Sequence, residues 1–214
     1  MRGMPGWERA LAGAGVAVAV PVSLSVAGWW VSASLALSGL LQIGDTHIAM
    51  SALAGLIGGV MLDIVFLGRW VRSFYAVPLV AMVPLYLFWT AIATAWFMGL
   101  PFGNLTLGTL AGAYMGRRAL HAGADEWEFR RQALVTALVA ANVTGLAALG
   151  IGLLAMREPY TLAFARRILG LEGLVSAQSA DVVIVTGAVL ALSVVQFLLC
   201  RGASECAFRL GGGD

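Results

Sequence analysis

One acidic side chain, that of Asp63, lies well inside an apolar stretch of the sequence. A carboxylate at the centre of a bilayer costs about 3 kcal/mol on insertion scales, and such residues often bind protons or ions. Asp63 is therefore a candidate proton- or cation-binding residue. It also lies about one turn from the end of its stretch, close to Arg69. The alternative is thus a structural ion pair, or a side chain that reaches water.

A second polar group, Asp45 and His47, precedes the second apolar stretch. An aspartate and a histidine two residues apart can bind a metal or sense pH, and Asn104, expected at a similar depth, is a further ligand-binding candidate. No second histidine is predicted on that side, because His121 falls on the opposite face of the membrane. We therefore assign no metal. The alternative is that Asp45 is the N-cap of a helix.

The third polar group, Tyr86, Thr90 and Thr94, recurs every four residues. Pro78 and Pro84 precede it, and prolines in a helix free backbone carbonyl groups that other donors must satisfy. A kinked helix with a hydroxyl stripe can line a cavity, which makes Thr90 a ligand-binding candidate. The same hydroxyl groups can also serve local hydrogen bonds within a packed helix.

Catalytic and cofactor motifs are absent from the sequence. The 13 basic residues are all arginine, which excludes a retinal-type Schiff base and a Walker A loop, since both need lysine. Cys200 and Cys206 match no metal or redox spacing, and there is no HExxH or GxSG motif and no pair of membrane histidines for haem. With a net charge of only +2, nucleic-acid binding is not expected. We therefore predict a non-enzymatic protein without cofactor or metal.

The composition indicates an integral membrane protein. Apolar residues make up 60% and charged residues 11% of the 214 residues, with a mean hydropathy of +0.90, whereas soluble domains carry about 25% charge. At about 20 residues per span, we predict an all-α, six-helix transmembrane bundle forming a single domain. The predicted spans are 10–41, 47–67, 74–98, 102–120, 132–156 and 181–200.

Arginine placement predicts the orientation. Most arginines lie at the N-terminus, after the second and fourth spans and in the C-terminal tail, so the positive-inside rule places both termini in the cytoplasm. The fifth connection is the exception, because Arg157, Arg166 and Arg167 would lie outside. Within it, Thr161–Leu171 can form a short amphipathic helix on the outer membrane surface, with Arg166 and Arg167 pointing away from its apolar face. The alternative is a loop that caps the bundle.

Two ridges of small residues follow a strict four-residue spacing. One comprises Ser51, Gly55, Gly59 and Asp63, and the other Asn104, Gly108, Gly112 and Gly116. Small residues allow helix backbones to approach closely in lipid. The second and fourth spans are therefore predicted to pack tightly, against each other or another helix. Alternatively, these ridges are docking faces for self-association or other membrane subunits.

Two functions fit these features. The first is a transporter, or the membrane subunit that captures the substrate of a transporter, for a small solute. In size and span count the chain is similar to the small substrate-capturing subunits of energy-coupled vitamin and metal importers. The alternative is a non-catalytic scaffold or accessory subunit of a larger membrane complex. The all-arginine usage and the lack of eukaryotic targeting motifs favour a bacterial or archaeal cytoplasmic membrane.

Overall fold

The computed structural model describes residues 4–96, 102–157, 162–170 and 177–210. Within these residues, the regular secondary structure is entirely helical, which confirms the all-α class. The α-helices are α1 (Gly6–Leu37), α2 (Asp45–Arg72), α3 (Leu79–Trp96), α4 (Phe102–Ala122), α5 (Glu126–Ala155), α6 (Ala163–Ile168) and α7 (Ala177–Arg209), with a 3-10 helix at Phe74–Ala76.

Five of the described helices, α1, α2, α3, α5 and α7, are long and apolar enough to cross a membrane. The chain is thus a multi-pass helical membrane protein by the length and composition of its helices. Helix α4 is not among the five. It has 21 residues, but Arg117, Arg118 and its glycines lower its hydropathy.

The chain divides into two compact units, residues 2–78 and residues 79–214. The first is an antiparallel hairpin of α1 and α2. Gly55 packs against the backbone of Leu24, and Gly59 packs against Pro21. A Cβ atom at either glycine would overlap the backbone of α1, so the ridge predicted on α2 is filled by α1.

Hydroxyl groups link the two helices near the connection between α1 and α2. The Ser51 Oγ lies 2.6 Å from the Ser32 Oγ and donates to the Gly28 carbonyl oxygen at 3.1 Å. A Cβ atom at Gly28 would lie 2.6 Å from the Ser51 carbonyl oxygen. The helices therefore meet backbone to backbone at Gly28 as well, which brings their hydroxyl groups within bonding distance.

The second unit packs α4 against α3, α5 and α7. The ridge on α4 faces α7: a Cβ atom at Gly108, Gly112 or Gly116 would overlap the Gln196 side chain, the Cys200 carbonyl and the Ser204 carbonyl, respectively. Along these three contacts the residue numbers increase in both helices, so α4 and α7 run parallel. Each predicted ridge is thus occupied by a helix of its own unit, α1 for the first ridge and α7 for the second.

The charged end of this unit has a small aromatic and alanine core. Phe129 of α5 stacks on Phe208 of α7, with ring centroids 4.0 Å apart and planes inclined by 6°. Met115, Ala119 and Ala133 are buried beside them. The helices α5 and α7 therefore remain packed well beyond their apolar stretches.

Helix α1 ends before the predicted span 10–41 does, and helix α3 begins after the start of the predicted span 74–98; a single residue sets each boundary. Helix α1 stops at Leu37 and not at Leu41, because Gly39 adopts the left-handed conformation, with φ of 72°, that commonly terminates helices. Helix α3 starts at Leu79 and not at Phe74. The residue before a proline disfavours helical angles, and Val77 is accordingly extended before Pro78.

Helix α7 continues to Arg209, nine residues past the predicted end at Cys200. Hydropathy marks where a helix leaves the lipid, and not where it ends. An ion pair between Arg201 and Glu205, at 3.1 Å, supports the additional turns. At the start of α5, the Asp125 carboxylate caps the helix by accepting from the Glu128 backbone N–H at 2.7 Å.

The short helix α6 differs from its prediction in the role of Arg166. This side chain was expected only to point away from the apolar face of the helix, and it donates to both carboxylate oxygens of Asp181 at 2.8 and 2.9 Å. Both side chains are less than 20% exposed. A bidentate arginine–carboxylate pair is strong and directional, so Arg166 fastens α6 to the start of α7.

Candidate functional site

The interior of the second unit contains a column of uncharged polar side chains from four helices. Helix α3 contributes Tyr86, Thr90 and Thr94, and the other helices contribute Asn104 from α4, Thr144 from α5 and Gln196 from α7. Asn104, Thr144 and Gln196 are fully buried. We refer to these six residues as the polar column.

Direct contacts connect the members of the polar column in pairs. The Asn104 amide donates to the Thr94 hydroxyl at 3.3 Å. One helical turn further along α4, the Gln196 side chain of α7 contacts Gly108. There the Thr144 hydroxyl of α5 donates to the Gln196 Oε1 at 3.4 Å, and the Tyr86 hydroxyl of α3 lies beside Thr144. The column thus extends from the start of α4 towards the middle of the bundle.

Two amide atoms of the column are buried without a hydrogen-bond partner. They are the Asn104 Oδ1 and the Gln196 Nε2. Each such atom costs about 1–3 kcal/mol when it stays unsatisfied, and native interiors contain few of them. An amide donor and an amide oxygen are therefore available to a polar molecule in this interior.

Glycine explains how a glutamine can occupy the centre of an apolar bundle. The Gln196 amide lies directly against Gly108, where any Cβ atom would overlap it. One and two turns further along α7, Cys200 and Ser204 continue the same face against α4. The sequence analysis overlooked Gln196, although it shares a four-residue spacing with Cys200 and Ser204 that matches the ridge on α4.

The polar column contains hydroxyl and amide groups and no carboxylate, imidazole or cationic side chain. The nearest arginine in α4, Arg117, lies more than three turns beyond Asn104 and donates to the Ala207 carbonyl oxygen at 3.4 Å. No cluster of three metal-ligating side chains occurs within the described residues. This chemistry suits hydrogen bonding to a neutral polar molecule.

Asp63 lies in the first unit, on the ridge of α2 one turn after Gly59. Its side chain is 7% exposed, and its Oδ1 is buried without a hydrogen-bond partner. It lines a groove of about 430 Å³ together with Ala17, Val60, Ile64, Leu67 and Gly68. Within the described part of this unit, neither Arg69 nor another cation forms a salt bridge with it.

The two remaining candidates, Asp45 and His47, lie at the start of α2 and are exposed. The N-cap of α2 is Gly44, and no side chain caps this end. The expectation that Asp45 is the N-cap was therefore wrong. Asp45 is instead the first helical residue, where a carboxylate interacts favourably with the positive end of the helix dipole. Thus Asp63 stays separate from Asp45 and His47, about four turns along the same helix.

Comparisons of the chain with protein-family models, with curated protein sequences and with solved structures give no match. The chemistry of the polar column and of the Asp63 groove therefore stands on the contacts of this chain alone.

Proposed function

We propose that the chain is a six-span protein of a bacterial or archaeal cytoplasmic membrane, with both termini in the cytoplasm. Helix α4, the fourth predicted span, then crosses the membrane in addition to the five apolar helices. Its 21 residues make about 31 Å of helix, enough for a hydrocarbon core of about 30 Å. Because α3, α5 and α7 pack around it, α4 exposes little surface to lipid and needs fewer apolar residues.

The proposed function is the transport of a small, neutral, polar solute, either by this chain alone or as the solute-binding membrane subunit of a larger transporter. The observation that carries this proposal is the polar column with its two unpartnered amide atoms, the Asn104 Oδ1 and the Gln196 Nε2. A purely structural bundle would gain stability from apolar side chains at these positions, since unsatisfied polar atoms are costly. A solute with both donor and acceptor groups would satisfy them.

The rival function is that of an accessory subunit, which the sequence analysis based on the glycine ridges. Both ridges are already packed against helices of the same chain, the ridge on α2 against α1 and the ridge on α4 against α7. They are therefore poor docking faces for another chain, which favours the transport proposal.

Native mass spectrometry of the full chain, purified in mild detergent, tests the proposal. The wild type should carry a bound small molecule, and Gln196→Met should lose it, because methionine has a similar volume but no amide group. The matched control is Thr106→Val, since Thr106 lies on the exposed side of α4. Co-purification of a membrane partner at fixed stoichiometry, without any bound small molecule, would instead support the accessory-subunit function.

A ligand screen gives a second measurement of the same proposal. A molecule at 100 times its Kd stabilises the native state by about 2.7 kcal/mol. Neutral solutes such as polyols, amides and nucleosides should raise the unfolding temperature of the wild type, and the effect should be lost in Gln196→Met. Stabilisation by anions or cations alone would contradict the neutral chemistry of the polar column.

A further inference from the structure

Helix α5 has two faces of different character. One face consists of small side chains, among them Ala133, Ala137 and Ala140, which are buried where α5 packs against α4 and α7. The opposite face consists of six residues that are all exposed within the described part of the chain: Val135, Val139, Asn142, Leu146, Leu149 and Leu153. We refer to these six residues as the outer face of α5.

The residues of the outer face alternate in spacing between four and three. This spacing is that of a heptad repeat, which keeps one side of a helix against a partner helix along its length. The valine and leucine residues alone fit a face that meets either lipid or a second helix, because lipid tails are as apolar as leucine. Asn142, at the centre of the face, distinguishes the two.

Asn142 lies near the middle of the apolar part of α5, eleven residues after Arg131 and fifteen residues before Arg157. Its Nδ2 donates to the Leu138 carbonyl oxygen at 2.8 Å, which uses one of the two amide hydrogens. The second hydrogen and the Oδ1 form no hydrogen bond within the described residues. Lipid tails have neither donors nor acceptors, so an amide group that faces them is costly.

A second copy of this chain provides the matching group at the matching depth. Two copies with the same orientation in the membrane are related by a two-fold axis along the membrane normal, so each residue on the axis meets its own counterpart. An amide group is self-complementary, because its N–H donates and its oxygen accepts. A single asparagine among apolar heptad positions also specifies register and oligomer state in coiled coils. Lipid or a purely apolar helix would leave the Asn142 amide unsatisfied.

The charged end of α5 does not oppose such a pairing. Glu128 and Arg131 continue the outer face there, and both are exposed. They carry opposite charges, so two parallel copies bring together equal numbers of positive and negative groups. The neighbouring Arg130 already pairs with Glu126 of its own helix.

We infer that the chain forms a homodimer through the outer face of α5, in which Asn142 of each copy hydrogen-bonds to the partner's Asn142. The valine and leucine residues of the face pack against their counterparts above and below this pair. The glycine ridges and the polar column stay within each copy, because α5 meets α4 and α7 through its other face. The inference therefore goes beyond the proposed function and does not rest on it.

Resonance energy transfer between full chains in lipid vesicles tests this inference. Cys206 is exposed and Cys200 is buried, so Cys206 can take a donor dye in one preparation and an acceptor dye in another. The label lies near the charged end of α5, since Phe208 of the same helix stacks on Phe129. Transfer in the wild type should rise with the protein-to-lipid ratio and then saturate. Transfer no greater than random proximity in the membrane produces would overturn the inference.

Two sets of variants locate the interface. Asn142→Leu should raise the dissociation constant about 3-fold to 30-fold, which is the contribution of a polar contact between membrane helices, and Asn142→Gln, which keeps the amide group, should raise it less. Leu146→Ala should also weaken the dimer, whereas its matched control Leu190→Ala, at an exposed leucine of α7, should not. An unchanged dissociation constant in Asn142→Leu, or equal effects of the two alanine variants, would contradict the α5 interface.

Disulfide cross-linking in membranes separates self-association from binding of a different protein. In a Cys206→Ser background, Leu149→Cys should form a disulfide-linked dimer, because parallel α5 helices bring equivalent residues together. The control Leu190→Cys should stay monomeric. A cross-link from Leu149→Cys to a different chain, or equal yields at the two positions, would refute the homodimer. Because none of these measurements requires a solute, failure of this inference is distinguishable from failure of the transport proposal.

Discussion

The substitution Gly112→Ala tests the packing between α4 and α7 most directly. A Cβ atom at this position would overlap the Cys200 carbonyl oxygen and lie 2.9 Å from the carbonyl carbon. Both are backbone atoms, so no side-chain rotation can relieve the contact. The two helices must separate locally, which also loosens the polar column one turn away at Gly108.

The expected loss follows from two opposing effects. Overpacking in a tight interior costs about 1–3 kcal/mol, while alanine gains about 1 kcal/mol over glycine in a helix. Gly187→Ala in α7 is the matched control, because a Cβ atom at Gly187 meets nothing within 4 Å. The control substitution has the gain in helix propensity without the overpacking cost. Gly112→Ala should therefore be less stable than Gly187→Ala by about 1–3 kcal/mol.

The assay is thermal unfolding in detergent, followed by loss of the monodisperse peak in size-exclusion chromatography. For a chain of this size, 1 kcal/mol corresponds to about 2–4 °C in Tm. Gly187→Ala should have a Tm equal to or above that of the wild type. Gly112→Ala should have a lower Tm than Gly187→Ala. If Gly112→Ala is as stable as Gly187→Ala, the backbone contact between α4 and α7 is wrong.

Two further substitutions test polar contacts between helices. Ser51→Ala removes the hydroxyl group that bonds to Ser32 and should destabilise the protein by about 0.6–1.7 kcal/mol in the same thermal assay. The control Ser34→Ala, at an exposed position of α1, should change stability by no more than about 0.5 kcal/mol, and equal losses would contradict the contact. Asp181→Asn should release α6 and increase tryptic cleavage after Arg166, whereas Asp181→Glu should retain protection. Equal cleavage in both variants would show that the ion pair does not fasten α6.

The ridges show how far a sequence pattern can predict helix packing. The spacing of Gly55 and Gly59, and of Gly108 and Gly112, identified the helix faces that another helix approaches. It did not identify the partners. A small-residue face is permissive, because it allows a close approach without requiring a particular neighbour. Which helix packs there depends on the residue that lies against the glycine, such as Pro21 of α1 against Gly59 or Gln196 of α7 against Gly108.

The polar column was predicted in part. The hydroxyl stripe of α3 was recognised because three residues repeat at one spacing, and Asn104 was noted as a candidate. Gln196 was overlooked because a single amide in an apolar run has no periodicity of its own. Its significance depends on Thr144, which is 52 residues away. A contact of this separation becomes visible only when the pairing of α5 with α7 is known.

Helix ends are predictable from sequence where a local rule is sufficient. Asp125 caps α5 because its side chain bonds three residues ahead, which is a property of the local sequence. At the start of α2 the local rule does not decide, because glycine and aspartate are both suitable N-caps. The structure uses Gly44, which leaves Asp45 free of that role.

The parallel pairing of α4 with α7 has a consequence for biosynthesis. Gly116 and Ser204, which meet in the folded protein, are 88 residues apart in the chain. At about 5–20 residues per second, α4 emerges about 4–18 seconds before this part of α7. During that interval its glycine face and Arg117 lack their partners on α7. Insertion of α4 should therefore require the translocon or a chaperone to shelter it until α7 is synthesised, and truncation before α7 should leave α4 vulnerable to degradation.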